Sequence, residues 1–163
     1  MASTSDALVR QLLEGRYVAA LATQNPNGSI HMVAVWYWFD GTNIFVATSS
    51  RSRKARNLQA STKVSLMIDS RVAAASYGVN IAGDGQIIAG ESSKKLNIKI
   101  HNKYLSAAAM ADSKVGPVFA VWDDVTIQIT PKSVITWDMR QLDQQALGGA
   151  IQKNPTYMLP LER

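Results

Sequence analysis

Short runs of apolar and β-branched residues, separated by turn signals, dominate the first half of the chain. They predict strands at residues 17–23, 30–39, 43–48, 63–69 and 77–90. The pairs Asn27-Gly28 and Asp40-Gly41 lie between the first three runs and are typical of tight hairpin turns. Because such turns join antiparallel neighbours, the pattern excludes parallel strands with crossover helices in this half.

Helical spacing of apolar residues is found in other stretches. It predicts a first helix over residues 5–14, a short helix that begins after Ser52 and runs to about Gln59, and a long helix over residues 91–111. Gly116-Pro117 breaks the long helix. Two further strands are then expected, at residues 118–130 and 134–137, and the tail over 141–163 is expected to be mostly loop.

These elements predict a mainly β fold: a six- to seven-stranded antiparallel barrel, closed or partly closed, with helices packed outside it. A chain of 163 residues that is 47% apolar is long enough for a single domain with a real core over residues 1–163. No apolar run approaches the length of a membrane span, and no signal peptide is recognised, so we expect a cytoplasmic protein.

Composition narrows the candidate chemistry. The chain has no cysteine, and its two histidines, His31 and His101, are far apart in sequence, so we expect no disulfide and no metal site. Asp123-Asp124 is interpreted as a solvated turn. The net charge of +5 favours an anionic ligand. A nucleic-acid partner is not expected, since the basic residues cluster at one helix start and not along a groove.

That cluster follows the third predicted strand. Thr48, Ser49 and Ser50 end the strand with hydroxyl groups, and four cations follow at once: Arg51, Arg53, Lys54 and Arg56. Ser52 is a good N-cap for the short helix. Free backbone N–H groups, the helix dipole and charged donors would converge on one anion there. A solvated basic helix on the surface is the alternative interpretation.

The order of these parts resembles the pyridoxamine 5′-phosphate oxidase-like family of FMN-binding split β-barrels, which also has deazaflavin-dependent members. The resemblance covers residues 5–90. It implies that one strand lies along the flavin, that the turn after Thr48 holds the phosphate, and that a fifth-strand segment of the partner subunit contacts the cofactor. The residues implied as cofactor-binding are His31, Met32, Val33, Ala34, Val35, Trp36, Ala47, Thr48, Ser49, Ser52, Arg53, Lys54, Tyr77 and Gly78.

The chain differs from the oxidase at His31 and Trp36, where the family often has Arg and Lys. Trp36 could instead cover one face of a flat ring system. Trp137 and Arg140 are the nearest candidates for the oxidase's C-terminal Trp and Arg.

The resemblance implies an FMN-dependent oxidoreductase in which the flavin carries out hydride transfer to or from a small molecule, so no catalytic side chain is expected. It also implies a homodimer with cofactor sites at the subunit interface. Two alternatives stay open. One is a reductase that uses the deazaflavin coenzyme F-420, and the other is a non-catalytic protein that binds flavin or haem.

Overall fold

The computed structural model describes residues 2–72 and 75–160. Its strands are β1 Ala19–Gln24, β2 Ile30–Val35, β3 Trp38–Phe39, β4 Ile44–Thr48, β5 Lys63–Ser70, β6 Tyr77–Ala89 and β7 Val125–Asp138. Its helices are α1 Ala7–Glu14, α2 Arg53–Ala60, α3 Gly90–Tyr104, α4 Ala107–Ala111, α5 Gly116–Trp122, α6 Met139–Leu147 and α7 Ala150–Lys153, followed by a 3-10 turn at Pro155–Tyr157.

The strands form one antiparallel sheet in the order β2-β1-β5-β6-β7-β4-β3. The strands at its two edges, β2 and β3, are joined by only Trp36 and Tyr37. Two residues reach so short a distance that the sheet must curl until its edges approach each other. The predicted fold class is therefore confirmed: a mainly β, seven-stranded, barrel-like antiparallel sheet with flanking helices.

The barrel interior holds the apolar core. Along β5, Val64, Leu66 and Ile68 are buried and alternate with less buried residues, as expected for a strand with one face on a core. Helix α1 adds buried leucines to the same cluster. Tyr37, at the turn between the edge strands, is fully buried, and its hydroxyl donates to the Leu12 carbonyl at 2.5 Å.

Two elements predicted as continuous are interrupted in the structure. The strand predicted over residues 30–39 is interrupted at Trp36-Tyr37, where the chain crosses from one sheet edge to the other. The helix predicted over 91–111 ends at Tyr104, and a separate helix begins at Ala107 with Ser106 as its N-cap. Both breaks follow from tertiary packing, which overrides local periodicity.

The strand predicted over residues 118–130 is wrong in its first part. Residues 116–122 form α5, in which Pro117 occupies the first turn of the helix, a position that needs no N–H donor. From Val125 to Asp138 the chain is one strand that runs through Pro131, where two separate strands, ending at 130 and beginning at 134, were expected. Pro131 pairs with Gly83 at a register shift in β6, and a bulge is a place where a strand tolerates proline.

The tail predicted as mostly loop is helical over most of its described length. Asp138 caps α6 by accepting from the Arg140 N–H, and Gly148 ends the helix in the left-handed region at φ 61°. The buried Asp143 carboxylate then accepts N–H groups of Ile151 and Gln152 at the start of α7. Part of the loop predicted at 71–76, and residues 161–163, lie outside the described residues. None of the described helices has the length and apolarity of a membrane span.

Candidate functional site

Hydroxyl groups build the turn between β4 and α2. The buried Thr48 donates from its Oγ1 to Ser52 Oγ at 3.1 Å, and Ser52 Oγ accepts the Ala55 N–H at 3.3 Å. Ser52 is thus the N-cap that the sequence predicts, and Ala55 and Leu58 of the same helix are buried. Because Ser52 caps the Ala55 N–H, the amides of Arg53 and Lys54 are left as donors at the helix start.

The four cations after this turn differ in their surroundings. Arg51, Arg53 and Arg56 are exposed, whereas Lys54 is half-buried. Among the described residues, no carboxylate lies within ion-pair distance of any of the four. Burial lowers the pKa of Lys54, and the negative charge of Asp123 opposes that effect. A desolvated ammonium without a close counter-charge favours the binding of an anion.

A second carboxylate, Asp124, holds the turn in place. Its two oxygens accept the N–H and the hydroxyl of Ser50, each at 2.6 Å. These hydrogen bonds hold the pKa of Asp124 below its usual range. The bonds tie the loop after β4 to the residue that precedes β7, so the hydroxyl turn is fixed at both ends.

A cleft of about 440 Å³ opens beside this turn. That volume lies in the range of small-molecule sites, about 300–1,000 Å³. Two alanines on β2 and β4 contribute small side chains, which leave room for a ligand against the sheet. The residues that line the cleft are Val18, Ala34, Val35, Trp36, Ala47, Lys54, Phe119 and Asp123.

Aromatic rings form one wall of the cleft. The Trp36 ring stacks on Tyr104 with centroids 5.0 Å apart and planes 2° apart, and on Phe119 at 5.7 Å and 22°. Helices α3 and α5 supply the two partner rings. The structure therefore shows Trp36 in an internal aromatic stack, and its contact with a flat ligand stays a prediction.

Asp123 and His101 were not identified as site residues from the sequence. Asp123 is half-buried at the cleft, and its Oδ2 lies 2.8 Å from Nε2 of His101. The His101 ring is buried and packs against Phe119 with centroids 5.3 Å apart. The expectation of a solvated turn at 123–124 is therefore wrong for Asp123. The sequence gives one indication that His101 is buried: it directly follows Ile100, an apolar residue of the helix predicted over residues 91–111.

Of the cofactor-binding residues predicted from the resemblance, the structure brings five together in the cleft: Ala34, Val35, Trp36, Ala47 and Lys54. Thr48 and Ser52 lie in the adjoining turn, Ser49 accepts the Arg51 N–H there, and Arg53 is exposed beside them. On β2, His31 and Val33 are half-buried, and Met32 is exposed on the outer face of the sheet.

Tyr77 and Gly78 lie elsewhere in the chain and do not line this cleft. The Tyr77 hydroxyl accepts from the Gln11 side chain at 3.1 Å, and the guanidinium of Arg140 lies 3.9 Å from the centre of its ring. Gly78 lies under the ring of Trp137, its partner on β7. Arg140 also forms an ion pair with Asp138. A contact of Tyr77 or Gly78 with a cofactor would have to come from a second subunit.

The part of the chain that the structure describes has no cluster of three or more potential metal ligands.

Comparison with known proteins identifies the family of the chain. The family model described as pyridoxamine 5′-phosphate oxidase matches residues 5–138. No curated protein matches the sequence.

Solved structures share the fold. A conserved hypothetical protein from Mycobacterium tuberculosis has a TM-score of 0.71 and 24% identity, over 86% of this chain and 88% of its own. An F-420 reductase has a TM-score of 0.58 and 21% identity, over 77% and 94%. The heme storage protein HutZ from Vibrio cholerae has a TM-score of 0.62 and 14% identity, over 80% and 92%. At these identities the likeness shows the fold alone.

Proposed function

The chain belongs to the pyridoxamine 5′-phosphate oxidase family, and from this premise we propose that it is an FMN-dependent oxidoreductase acting on a small molecule. One observation carries the proposal. The half-buried ammonium of Lys54 lines the cleft and has no carboxylate within ion-pair distance in the described residues. It lies at the start of a helix, directly after a turn built from hydroxyl groups.

The residues present fit a flavin phosphate. The N–H groups at the start of α2, the hydroxyl of Ser49 and the Lys54 ammonium offer donors of the kind that hold phosphate at a helix N-terminus. Arg53 adds a more solvated charge. Thr48 donates to Ser52 and so fixes the turn. The hydroxyl turn and α2 would together hold the anionic end of the cofactor.

The rest of the cleft suits the apolar part of the cofactor. Ala34 and Ala47 allow a flat ring to approach the sheet, and Trp36 and Phe119 exclude water from one side. FMN, when bound, supplies the hydride-transfer chemistry itself. The protein's part is to bind, orient and shield the flavin, and this role requires no catalytic side chain.

The deazaflavin coenzyme F-420 is the second candidate, and a specific feature favours it. A further hollow of about 300 Å³ adjoins the turn and is lined by Ser49, Arg51, Val121, Trp122 and Asp124. The cation of Arg51 would suit the longer, more anionic tail of that coenzyme.

A homodimer is part of the proposal. The outer face of β2 exposes Ile30 and Met32, which are 62% and 65% exposed, and Ile135 on β7 is 62% exposed. On β1 between them, Ala22 pairs with Met32 and is a small outward-facing residue. An exposed apolar sheet face of this kind is typical of an interface. We expect light scattering to give a dimer mass for the wild type and a monomer mass for Met32→Lys.

Turnover tests the oxidoreductase proposal. The FMN-loaded protein is mixed with NADH or NADPH without oxygen, and the flavin absorbance is followed; air is then admitted. We expect the flavin absorbance of the protein to fall faster than that of free FMN, and to recover when air is admitted. Stoichiometric FMN binding with bleaching no faster than that of free FMN would contradict it, and would favour a non-catalytic carrier.

A further inference from the structure

The carboxylate of Asp123 is an unusual feature of a cleft built for an anion. Its side chain is 21% exposed, and His101, which holds it, is 2% exposed. The two come from different elements, since His101 lies on α3 and Asp123 follows α5. The buried ring is itself packed against Phe119, another residue of the cleft wall. The position of the carboxylate is therefore fixed by the fold and not by solvent.

Among the residues that the structure describes, only one oxygen of Asp123 has a hydrogen-bond partner. Oδ2 lies 2.8 Å from Nε2 of His101, whereas the hydrogen bonds of the described residues place no donor on Oδ1. A carboxylate is an acceptor with room for several hydrogen bonds. A ligand in the cleft can therefore donate to Oδ1.

Asp123 lies near the anion-binding end of the cleft. Its charge acts on Lys54, whose pKa it raises against the effect of burial. The next residue, Asp124, is bonded to Ser50 in the turn after β4. A ligand whose anionic group reaches Lys54 would thus place the atoms next to that group beside Asp123.

A carboxylate beside a bound anion costs affinity through like-charge repulsion, unless the ligand offers it a donor. Hydroxyl groups are such donors, and the sugar-alcohol chain of FMN carries them between phosphate and ring. We propose that Asp123 is a ligand-binding residue that accepts hydrogen bonds from the hydroxyl groups of this chain, and that His101 is its positioning residue. The inference rests on the proposed function and holds equally for a deazaflavin, which carries the same chain.

The experiment compares two ligands that share ring and phosphate. One is FMN; the other is an analogue in which an unbranched alkyl chain of the same length replaces the sugar alcohol. Both are titrated into the wild type and Asp123→Ala, with flavin fluorescence as the signal. The wild type is expected to prefer FMN by at least about tenfold, the usual effect of a hydrogen bond to a charged group. In Asp123→Ala this preference should fall below about twofold.

The ratio of affinities separates binding from structure, because damage to the cleft would weaken both ligands alike. A preference for FMN that survives in Asp123→Ala, or that is absent from the wild type, would overturn the inference. A wild type that binds neither ligand would instead overturn the proposed function, and this inference with it. Glu91→Gln, which removes an exposed carboxylate at the start of α3, is the control for net charge.

His101 is tested by the same ratio. His101→Gln keeps an N–H donor on a side chain of similar reach, and we expect it to retain most of the preference for FMN. His101→Leu removes the donor and should lose the preference while Asp123 is still present. Equal preferences in the two variants would refute the positioning role. Thermal melting shows whether each variant folds, and Asp123→Leu, which has a similar volume but no hydrogen-bonding group, replaces Asp123→Ala if the latter does not fold.

Discussion

Replacing Lys54 with alanine is expected to weaken FMN binding far more than the same change at Arg53. Lys54 is half-buried in the cleft, and this burial lowers its pKa. A hydrogen bond to a charged group in such a place is worth about 1.5–3 kcal/mol, or roughly a 10- to 150-fold loss of affinity. Arg53 is exposed, and exposed charge pairs contribute about 0.2–1 kcal/mol, so its loss is expected to stay within about fivefold.

Fluorescence titration with FMN and with riboflavin, which lacks the phosphate, measures both effects. Lys54→Ala should reduce the affinity for FMN and leave that for riboflavin nearly unchanged, because the lost partner is the phosphate. Arg56→Ala is the matched control, since Arg56 is an exposed cation of the same helix. A larger loss at Arg53 than at Lys54, or equal losses for the two ligands, would refute the assignment of the buried cation to the phosphate.

Three stability predictions follow from contacts away from the cleft. Gly78→Ala would place a methyl group in the space that the Trp137 ring occupies, so urea unfolding should show a loss of about 1–3 kcal/mol. The Trp137→Ala background should remove most of that cost, and an unchanged cost there would contradict the explanation. Tyr37→Phe removes the hydrogen bond to the Leu12 carbonyl and should cost about 1–2 kcal/mol; a stability equal to wild type would show that water replaces it. Burial lowers the pKa of Lys103 from 10.5 to about 8, so between these values the unfolded chain binds more protons than the folded one. The free energy of unfolding of the wild type, relative to Lys103→Met, should therefore rise with pH from 8 to 10, by up to about 1 kcal/mol per pH unit, and a flat or falling difference would refute this.

The turn that begins α2 could be predicted because its signals are local. Ser52 caps the helix with its own side chain, and the cations follow it directly in sequence. The β2 segment was equally accessible, since the turn at Asn27-Gly28 fixes its antiparallel pairing with β1. Strand β2 with the adjoining Trp36, and the segment from Ala47 to Lys54, supply five residues of the cleft, which is why the sequence could identify this side of it.

The opposite wall could not be predicted, because it depends on tertiary structure. Residues 118–122 are apolar and partly β-branched, so local propensity favoured a strand. Pro117 was interpreted as the break after one helix, whereas in the structure it lies in the first turn of another. His101 and Asp123 meet across 22 positions of sequence, and no spacing rule connects them. Asp123, the carboxylate that lines the cleft, was therefore interpreted as a solvated turn residue.

The central claim, that the cleft binds a flavin through Lys54 and the turn after β4, is tested most directly by an absorbance spectrum after gel filtration. The purified protein is mixed with excess FMN, passed through the column, and its spectrum is recorded beside that of Lys54→Ala. The account predicts flavin bands near about 370 and 450 nm that travel with the wild type and are much reduced in the variant. A wild type that emerges colourless after FMN and again after F-420, or a variant that retains the bands in full, would contradict it.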